Sequence, residues 1–453
     1  MPPSSCRRLF VRLLSIALLL ASGHATLADD WPQWMGPQRD GVWREAGVAA
    51  ALPEGGAPVQ WRVDVAYGYA GPAVAGGRVY LFDYKVESGE VANLPSRRDR
   101  LTGAERLTCY DAATGELIWR QDYACEYAVS YGGGPRCTPT IAGDHVYTLG
   151  AEGDLVCRQL GDGALVWRKN FKQEYGAETP IWGHSAHPLV AGDLVFCVAG
   201  GEGSVAVACN RLTGQEVWRN LSAGEPGYCP PTMITHAGAQ QLLIWHPESL
   251  NSLDPATGAV NWTLPARPAY GMSIMAPQKL GDRLFISAIG NLAVMMRLTG
   301  DSNGVEVLWS GGAKRGLRAV NATPLFAPAP AGGDAVLYGV DCETSALMAV
   351  SVDNGRRLWT TKRPTIGDAR GRHGTAFLVR HEPTGGYFLF NEGGDLISAR
   401  LTPGGYEETG RQHLLAPTSS SFGRPVVWSH PAFAQQCVFA RNDKELVCVN
   451  LSE

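Results

Sequence analysis

Apolar and polar residues alternate in short runs along most of this chain, and glycine-centred turns separate the runs. Residues 139–147 read Pro-Thr-Ile-Ala-Gly-Asp-His-Val-Tyr, and residues 188–196 read Pro-Leu-Val-Ala-Gly-Asp-Leu-Val-Phe. Gly76-Gly77 and Gly281-Asp282 sit in the same setting. Period-two alternation places one face of a strand toward a core. Gly-Asp and Gly-Gly tolerate the positive φ that a tight hairpin needs. A second turn follows at Gly150 to Gly153, at Gly200 to Gly203 and at Gly393 to Asp395. A third lies inside a recurring phrase, Asp-Ala-Ala-Thr-Gly-Glu-Leu-Ile-Trp at 111–119. Three turns join four short antiparallel strands.

The phrase returns at 159–167, 210–218, 254–262 and 352–359, each time ending on tryptophan. With Trp61 and Trp309 the spacing between successive tryptophans runs from 44 to 58 residues. A period near 50 marks a repeat architecture. One four-stranded unit cannot bury both faces alone, whereas stacking such units around an axis buries them and leaves only short edges. The tryptophan near each outer strand is then expected to wedge between neighbouring units as structural apolar contact.

The ends of the chain complete the count. Residues 59–65 form an outer-strand phrase with no inner strands before it, while the C-terminus holds three inner strands and no outer one. A repeat at 374–410 keeps its Gly404-Gly405 turn without the tryptophan. The predicted fold class is therefore all-β: an eight-bladed β-propeller of four-stranded antiparallel blades, closed by the strand at 59–65 pairing with 446–450. Residues 59–453 form the propeller and 29–58 an N-terminal extension. The stretch 84–105, with Arg97, Arg98, Arg100 and Arg106 against Glu87, Glu90, Asp99 and Glu105, is expected to be a solvated loop in the first blade. The same loop is also a place for a partner to dock.

Residues 1–28 have the layout of a secretory signal: Arg7, Arg8 and Arg12, then an apolar run at 13–21, then small-residue cleavage sites ending at Ala28. The Arg7-Arg8 pair also resembles a twin-arginine signal, with the general secretory route favoured. No Cys follows Leu20-Ala21-Ser22-Gly23, so a lipid anchor is not expected. A protein that is soluble after cleavage and periplasmic or secreted follows, without a transmembrane segment. The signal carries three Arg and no acid, which leaves 36 basic against 43 acidic residues, a net charge of −7. An acidic chain without basic runs is a poor nucleic-acid binder.

Ten cysteines lie beyond the signal. Cys109 and Cys157 fall ten residues before the repeat tryptophan, where other repeats carry Ala208, Ser252 and Ala349, so they read as small core residues. Cys197 with Cys209, and Cys437 with Cys448, are placed about hairpin turns so as to face each other. Cys125 and Cys137 flank a glycine-rich loop. An oxidising destination would permit a disulfide at any of these pairs. There is no Cys-x-x-Cys.

The Asp-x-x-Thr-Gly-x-x-x-Trp phrases ending at Trp119, Trp218 and Trp262 resemble the pyrroloquinoline-quinone-like (PQQ-like) β-propeller repeat family. The opening Trp-Pro-Gln-Trp-Met-Gly-Pro-Gln-Arg-Asp-Gly at 31–41 is similar to the mature start of many exported members. The resemblance runs from Trp31 to Asn450 and is specific for fold. For function it implies two things, because the family holds both quinoprotein dehydrogenases and non-enzymatic scaffolds of outer-membrane assembly. Those dehydrogenases place Ca²⁺ on the quinone with carboxylate and amide oxygens, and carry an adjacent Cys-Cys pair. This chain has no Cys-Cys dipeptide, and Asn321 is the best-placed oxygen donor, with Glu178, Glu225 and Asp368 at loop edges.

In a propeller the loops leading into the inner strands rim one face of the ring. Here those loops carry Tyr69, Arg136, His184, His187, Tyr270, Arg318, Asn321, His373 and His430. One reading is a funnel for a small anionic or planar ligand, held by Arg and stacked on aromatics. The other is that the His and Arg side chains satisfy backbone carbonyls and neighbouring carboxylates. No Gly-x-Ser-x-Gly elbow and no third ligand beside His184 and His187 occur, so neither hydrolysis nor a metal is expected. The expectation is a monomeric binding or assembly scaffold of the cell envelope, bound by envelope proteins and free of cofactor. A PQQ- and Ca²⁺-dependent dehydrogenase of alcohols or sugars is the alternative.

Overall fold

The computed structural model describes residues 29–300, 304–328 and 334–453. The proposed signal at 1–28 lies outside them. Eight antiparallel four-stranded sheets account for almost all the regular structure. In chain order they occupy 73–124, 140–170, 189–220, 232–265, 278–310, 325–361 and 376–413; the eighth joins Ala432–Ala434, Cys437–Arg441 and Glu445–Asn450 to Val59–Asp64. These are blades 1 to 8. The ring closes as the ends of the chain suggested. Val59 stands opposite Val449 and Asp64 opposite Glu445, so two sheet edges from distant parts of the chain are consumed in one pairing.

The repeated phrase has a clear geometric cause. Its glycine takes a positive φ and packs directly on the tryptophan of the preceding blade. A Cβ on Gly115 would lie 2.8 Å from the Trp61 ring, one on Gly214 2.7 Å from Trp167, and one on Gly258 2.5 Å from Trp218. Each of these tryptophans also donates its indole N–H to a carbonyl of the next blade's phrase: Trp61 to Ala112, Trp167 to Arg211, Trp218 to Pro255. The ring and the glycine therefore form one joint between blades. The residue opposite each tryptophan is small or flexible, as at Cys109, Cys157, Ala208 and Ser252, and a β-bulge follows on the same strand. The bulge lets the indole leave its own sheet and reach the next.

The cysteine pairs follow a different register from the one expected. Cys197 stands opposite Val207 and Cys209 opposite Val195, while Cys437 faces Asn450 and Cys448 faces Phe439. Each pair is offset by two residues, because the hairpin turn is not centred midway between the two thiols. Cys125 and Cys137 belong to separate apolar clusters.

Of residues 84–105, the stretch 89–98 is the expected, largely exposed loop, and the rest is strand. Arg78–Ser88 and Asp99–Asp111 extend blade 1 into a long hairpin, and Tyr127–Val129 adds to it. Tyr84 and Tyr127 stack at 4.0 Å. Glu105, fully buried, accepts hydrogen bonds from Tyr123 and Tyr127. Burial raises its pKa above the usual carboxylate value against the pull of those hydroxyls. Alternation of polar and apolar residues is present here but obscured by the density of charge.

The N-terminal segment fills the middle of the ring. Trp31 exchanges two backbone hydrogen bonds with Val74 on the innermost strand of blade 1, and the Ile141 N–H of blade 2 donates to Pro32. Val42–Trp43 then runs parallel to the inner strand of blade 7. The Arg39 guanidinium donates to the His187 and Pro188 carbonyls of blade 3. Inner strands of a propeller leave open edges along the axis, and this segment satisfies several of them. Trp31 and Trp43 are each 1 % exposed. Past Val48 the chain crosses to Leu52, whose N–H meets the Ser398 hydroxyl, and enters the outer strand of blade 8.

Candidate functional site

All eight inter-blade loops on one face converge on a funnel of about 480 Å³. Its floor is the axial segment: Trp34 lies 4.9 Å from the His187 ring and 6.4 Å from that of His430. Seven of the nine rim residues named from the sequence line it: Tyr69, Arg136, His187, Tyr270, Asn321, His373 and His430. The remaining wall includes the aromatic Tyr131, Trp182, Tyr228, Phe377, Phe422 and Trp428 beside apolar Met272, Ile274 and Ile289.

The other two rim residues are turned into the protein. Arg318 is 8 % exposed and clasps the fully buried Asp341 through Nε and Nη2, both at 2.8 Å. The guanidinium holds the Asp341 carboxyl below its usual range despite burial. His184 is buried against Phe171 at 5.4 Å, and burial pushes its pKa down to about 4. A single sequence cannot tell an arginine facing a cavity from one facing the next strand, because Asp341 is 23 residues away and in another turn of the chain.

Arg136 lines the funnel yet is fully engaged. Its Nε donates to the Trp182 carbonyl at 2.9 Å, Nη2 to the Ser130 and Tyr131 carbonyls at 2.8 and 2.7 Å, and Nη1 to Gly134. The same head lies 5.3 Å from the Tyr69 ring. The aromatic walls are committed in a similar way. Tyr69 donates to Asn93, Tyr131 shares a hydrogen bond with Ser421, and the Trp182 and Trp428 indoles donate to the Pro95 carbonyl and to Glu392. Their polar handles thus point into protein, and their ring faces remain for the funnel.

The three imidazoles are held uncharged. Burial lowers the His430 pKa to about 4 and takes His187 well below its ordinary value, the latter aided by nearby Arg39. His373 is also lowered by burial and stacks on Phe422 at 4.7 Å and 14°. Phe422 sits at the tip of a small hairpin, Ser419–Ser421 with Arg424–Val426, inserted between blades 7 and 8. That hairpin gave no alternating signal in its serine-rich first strand, and Phe422 was missed with it. Trp34 was missed because the extension was not expected to reach the rim loops.

A family model described as outer membrane protein assembly factor BamB matches residues 44–124, 103–302 and 246–453. The chain belongs to this PQQ-like repeat family. No curated protein matches this PQQ-like propeller in sequence. Among solved structures, it is similar to BamB from Moraxella catarrhalis at 14 % identity and TM-score 0.53, covering 86 % of this chain and 98 % of that one. The quinohemoprotein alcohol dehydrogenase from Comamonas testosteroni aligns at 13 % identity and TM-score 0.59, over 94 % and 81 % of the two chains. A europium-containing methanol dehydrogenase aligns at 10 % identity and TM-score 0.58, over 93 % and 89 %. At these identities the likeness concerns the fold, which is shared by an assembly factor and by oxidoreductases alike. No helix among the described residues of the propeller is long and apolar enough to cross a membrane.

Proposed function

We propose that this PQQ-like propeller is an exported binding or assembly scaffold of the cell envelope, and that the funnel face is its contact face. One observation carries the reading: a preformed cavity, closed below by the chain's own N-terminal segment, whose walls are aromatic faces and neutral imidazoles. Aromatic residues dominate the energetics of binding surfaces. A mouth ringed by the exposed Tyr270 and Phe422 suits capture of a partner.

The donor set argues against a Ca²⁺-bound quinone in this funnel. Hard cations take clusters of oxygen ligands, carboxylates foremost. No Asp or Glu lines the cavity, and among the described residues no three His, Cys, Asp or Glu converge. No step of an oxidation is therefore assigned to these side chains.

The test places a photo-crosslinking residue at Tyr270, which is 78 % exposed on the rim, and separately at Leu165, exposed on the outer edge of blade 2. Discrete adducts from the rim position in whole cells, absent from the edge position, are expected. Adducts from Leu165 alone would move the contact surface to the circumference. In a second arm the purified protein is supplied with pyrroloquinoline quinone and Ca²⁺ in a dye-linked alcohol or sugar oxidation assay. Sustained turnover there would replace the scaffold reading with a dehydrogenase.

A further inference from the structure

We infer that the funnel floor is a binding site for an uncharged aromatic small molecule, a ligand class distinct from the anion that an arginine-bearing rim suggests. The inference rests on the reading of this face as a binding face and narrows what its deepest part recognises.

Three observations converge. First, the one arginine that lines the cavity has its donors committed. Every nitrogen of Arg136 already donates to a backbone carbonyl. Arg39, beneath the floor, donates to two more. The lining histidines are neutral at ordinary pH, and no carboxylate lines the wall. An anion entering here would give up its hydration without a freely presented guanidinium to bond it. Second, the walls offer ring faces on several sides. Trp182 and Tyr228 stand 5.4 Å apart and tilted by 51°, and across the mouth Tyr131 and Trp428 stand 5.8 Å apart at 58°. Tilted aromatic pairs leave faces and edges for a third ring, and offset or edge-to-face contacts add to apolar burial. Third, the uncharged polar side chains of the wall are few, Thr138, Ser185 and Asn321 beside the imidazoles, which suits a ring that carries one or two hydrogen-bonding groups.

The volume, about 480 Å³, falls within the range of small-molecule sites and well above one side chain. The sparse polar groups fit one or two hydrogen bonds per ligand. A sugar, with a hydroxyl on nearly every carbon, needs far more than this wall provides.

Isothermal titration of the purified protein at neutral pH decides the matter with four probes: 2-naphthol, naphthalene, 2-naphthoate and methyl glucoside. The neutral 2-naphthol is expected to bind at least about tenfold more tightly than its carboxylate analogue. Trp182→Ala and Trp428→Ala should each weaken 2-naphthol about tenfold with the melting temperature checked in parallel. Naphthalene should bind within about tenfold of 2-naphthol, since ring contacts supply most of the affinity. Equal or tighter binding of 2-naphthoate, binding of methyl glucoside in place of 2-naphthol, or no binding by any probe each overturns the assignment, and all three are read on the unaltered protein. The titration contains no partner protein, so its failure leaves the rim crosslinks standing, and failed crosslinks leave the titration standing.

Discussion

Arg318 and Asp341 form a buried, two-pronged ion pair, Nε and Nη2 each 2.8 Å from a separate carboxylate oxygen. Asp341 also receives the Arg318 backbone N–H and the Thr344 hydroxyl. The pair fastens the loop before blade 6 to the second strand of that blade. Arg318→Ala would strand a fully buried carboxylate, and breaking such a pair costs about 3–5 kcal/mol. Urea unfolding should show a midpoint well below the parent's. An unchanged midpoint would mean that water reaches Asp341 and that the pair matters little. Tyr270→Ala, at the exposed rim, serves as the neutral comparison.

Gly258 has a φ of +73°, and a Cβ there would meet the Trp218 ring at 2.5 Å. Gly258→Ala therefore combines a left-handed backbone, which costs about 1 kcal/mol or more outside glycine, with overpacking of roughly 1–3 kcal/mol. Gly161→Ala is the control, since a Cβ at that position would meet no atom within 4 Å and its φ is not positive. Thermal melts of the two variants should separate by several degrees, with Gly258→Ala the lower. Equal melts would show that blades 3 and 4 can shift to admit the methyl group.

These joints explain why the fold was readable and the site was not. Gly115, Gly214 and Gly258 recur because each touches a tryptophan of the previous blade, so the contact is written into local sequence at a fixed offset. Ring closure was legible for the same reason: Val59–Asp64 carries an outer-strand phrase wherever it sits. The funnel has no such period. Its lining comes from eight loops of unlike sequence and from the axial segment, and what each side chain does depends on neighbours far away in the chain. Arg136 and Arg318 look alike in sequence, yet one is spent on carbonyls 2 to 46 residues distant and the other on a buried Asp. Trp34 reaches the floor only because the axial segment threads the ring, a path that no alternation in 29–58 announces.

Trp43 meets Phe433 of blade 8 at 5.3 Å and Phe388 of blade 7 at 5.9 Å, and donates its indole N–H to Glu45. It is a plug between the first and last parts of the chain. Trp43→Ala should cost about 3–5 kcal/mol from lost burial and the cavity left behind. Removal of residues 445–453 should go further, since it takes away the partner strand of Val59–Asp64 and opens two edges. Size-exclusion chromatography should show aggregates for the truncation and a monodisperse but less stable species for Trp43→Ala. A cooperative melt at the parent's temperature from the truncated chain would argue that the ring holds without its closing pair.

Acid should weaken this protein before its carboxylates titrate. His184 and His430 are buried, and their pKa values fall to about 4 against an ordinary 6.5; His187 moves the same way. The unfolded chain takes up protons below pH 6.5 while the folded chain refuses them until about pH 4. Stability is therefore complete above pH 6.5 and is lost progressively as pH falls from there through about 4. His184 and His430 each contribute on the order of 3 kcal/mol at the bottom of that window, at about 1.4 kcal/mol per unit. Glu105 and Asp443 act in the opposite sense, because burial raises their pKa and the folded state protonates first. Asp341 and Glu152, whose pKa values are lowered, add their own loss only below the ordinary carboxylate range. The histidine share can be isolated with His430→Asn, whose amide can replace the Nδ1–H donated to the Pro431 carbonyl. Urea midpoints measured from pH 7.5 to 4 should slope less steeply for this variant than for the parent. Parallel slopes would show that His430 takes up its proton over the same pH range in the folded chain as in the unfolded one, so that burial does not hold it neutral.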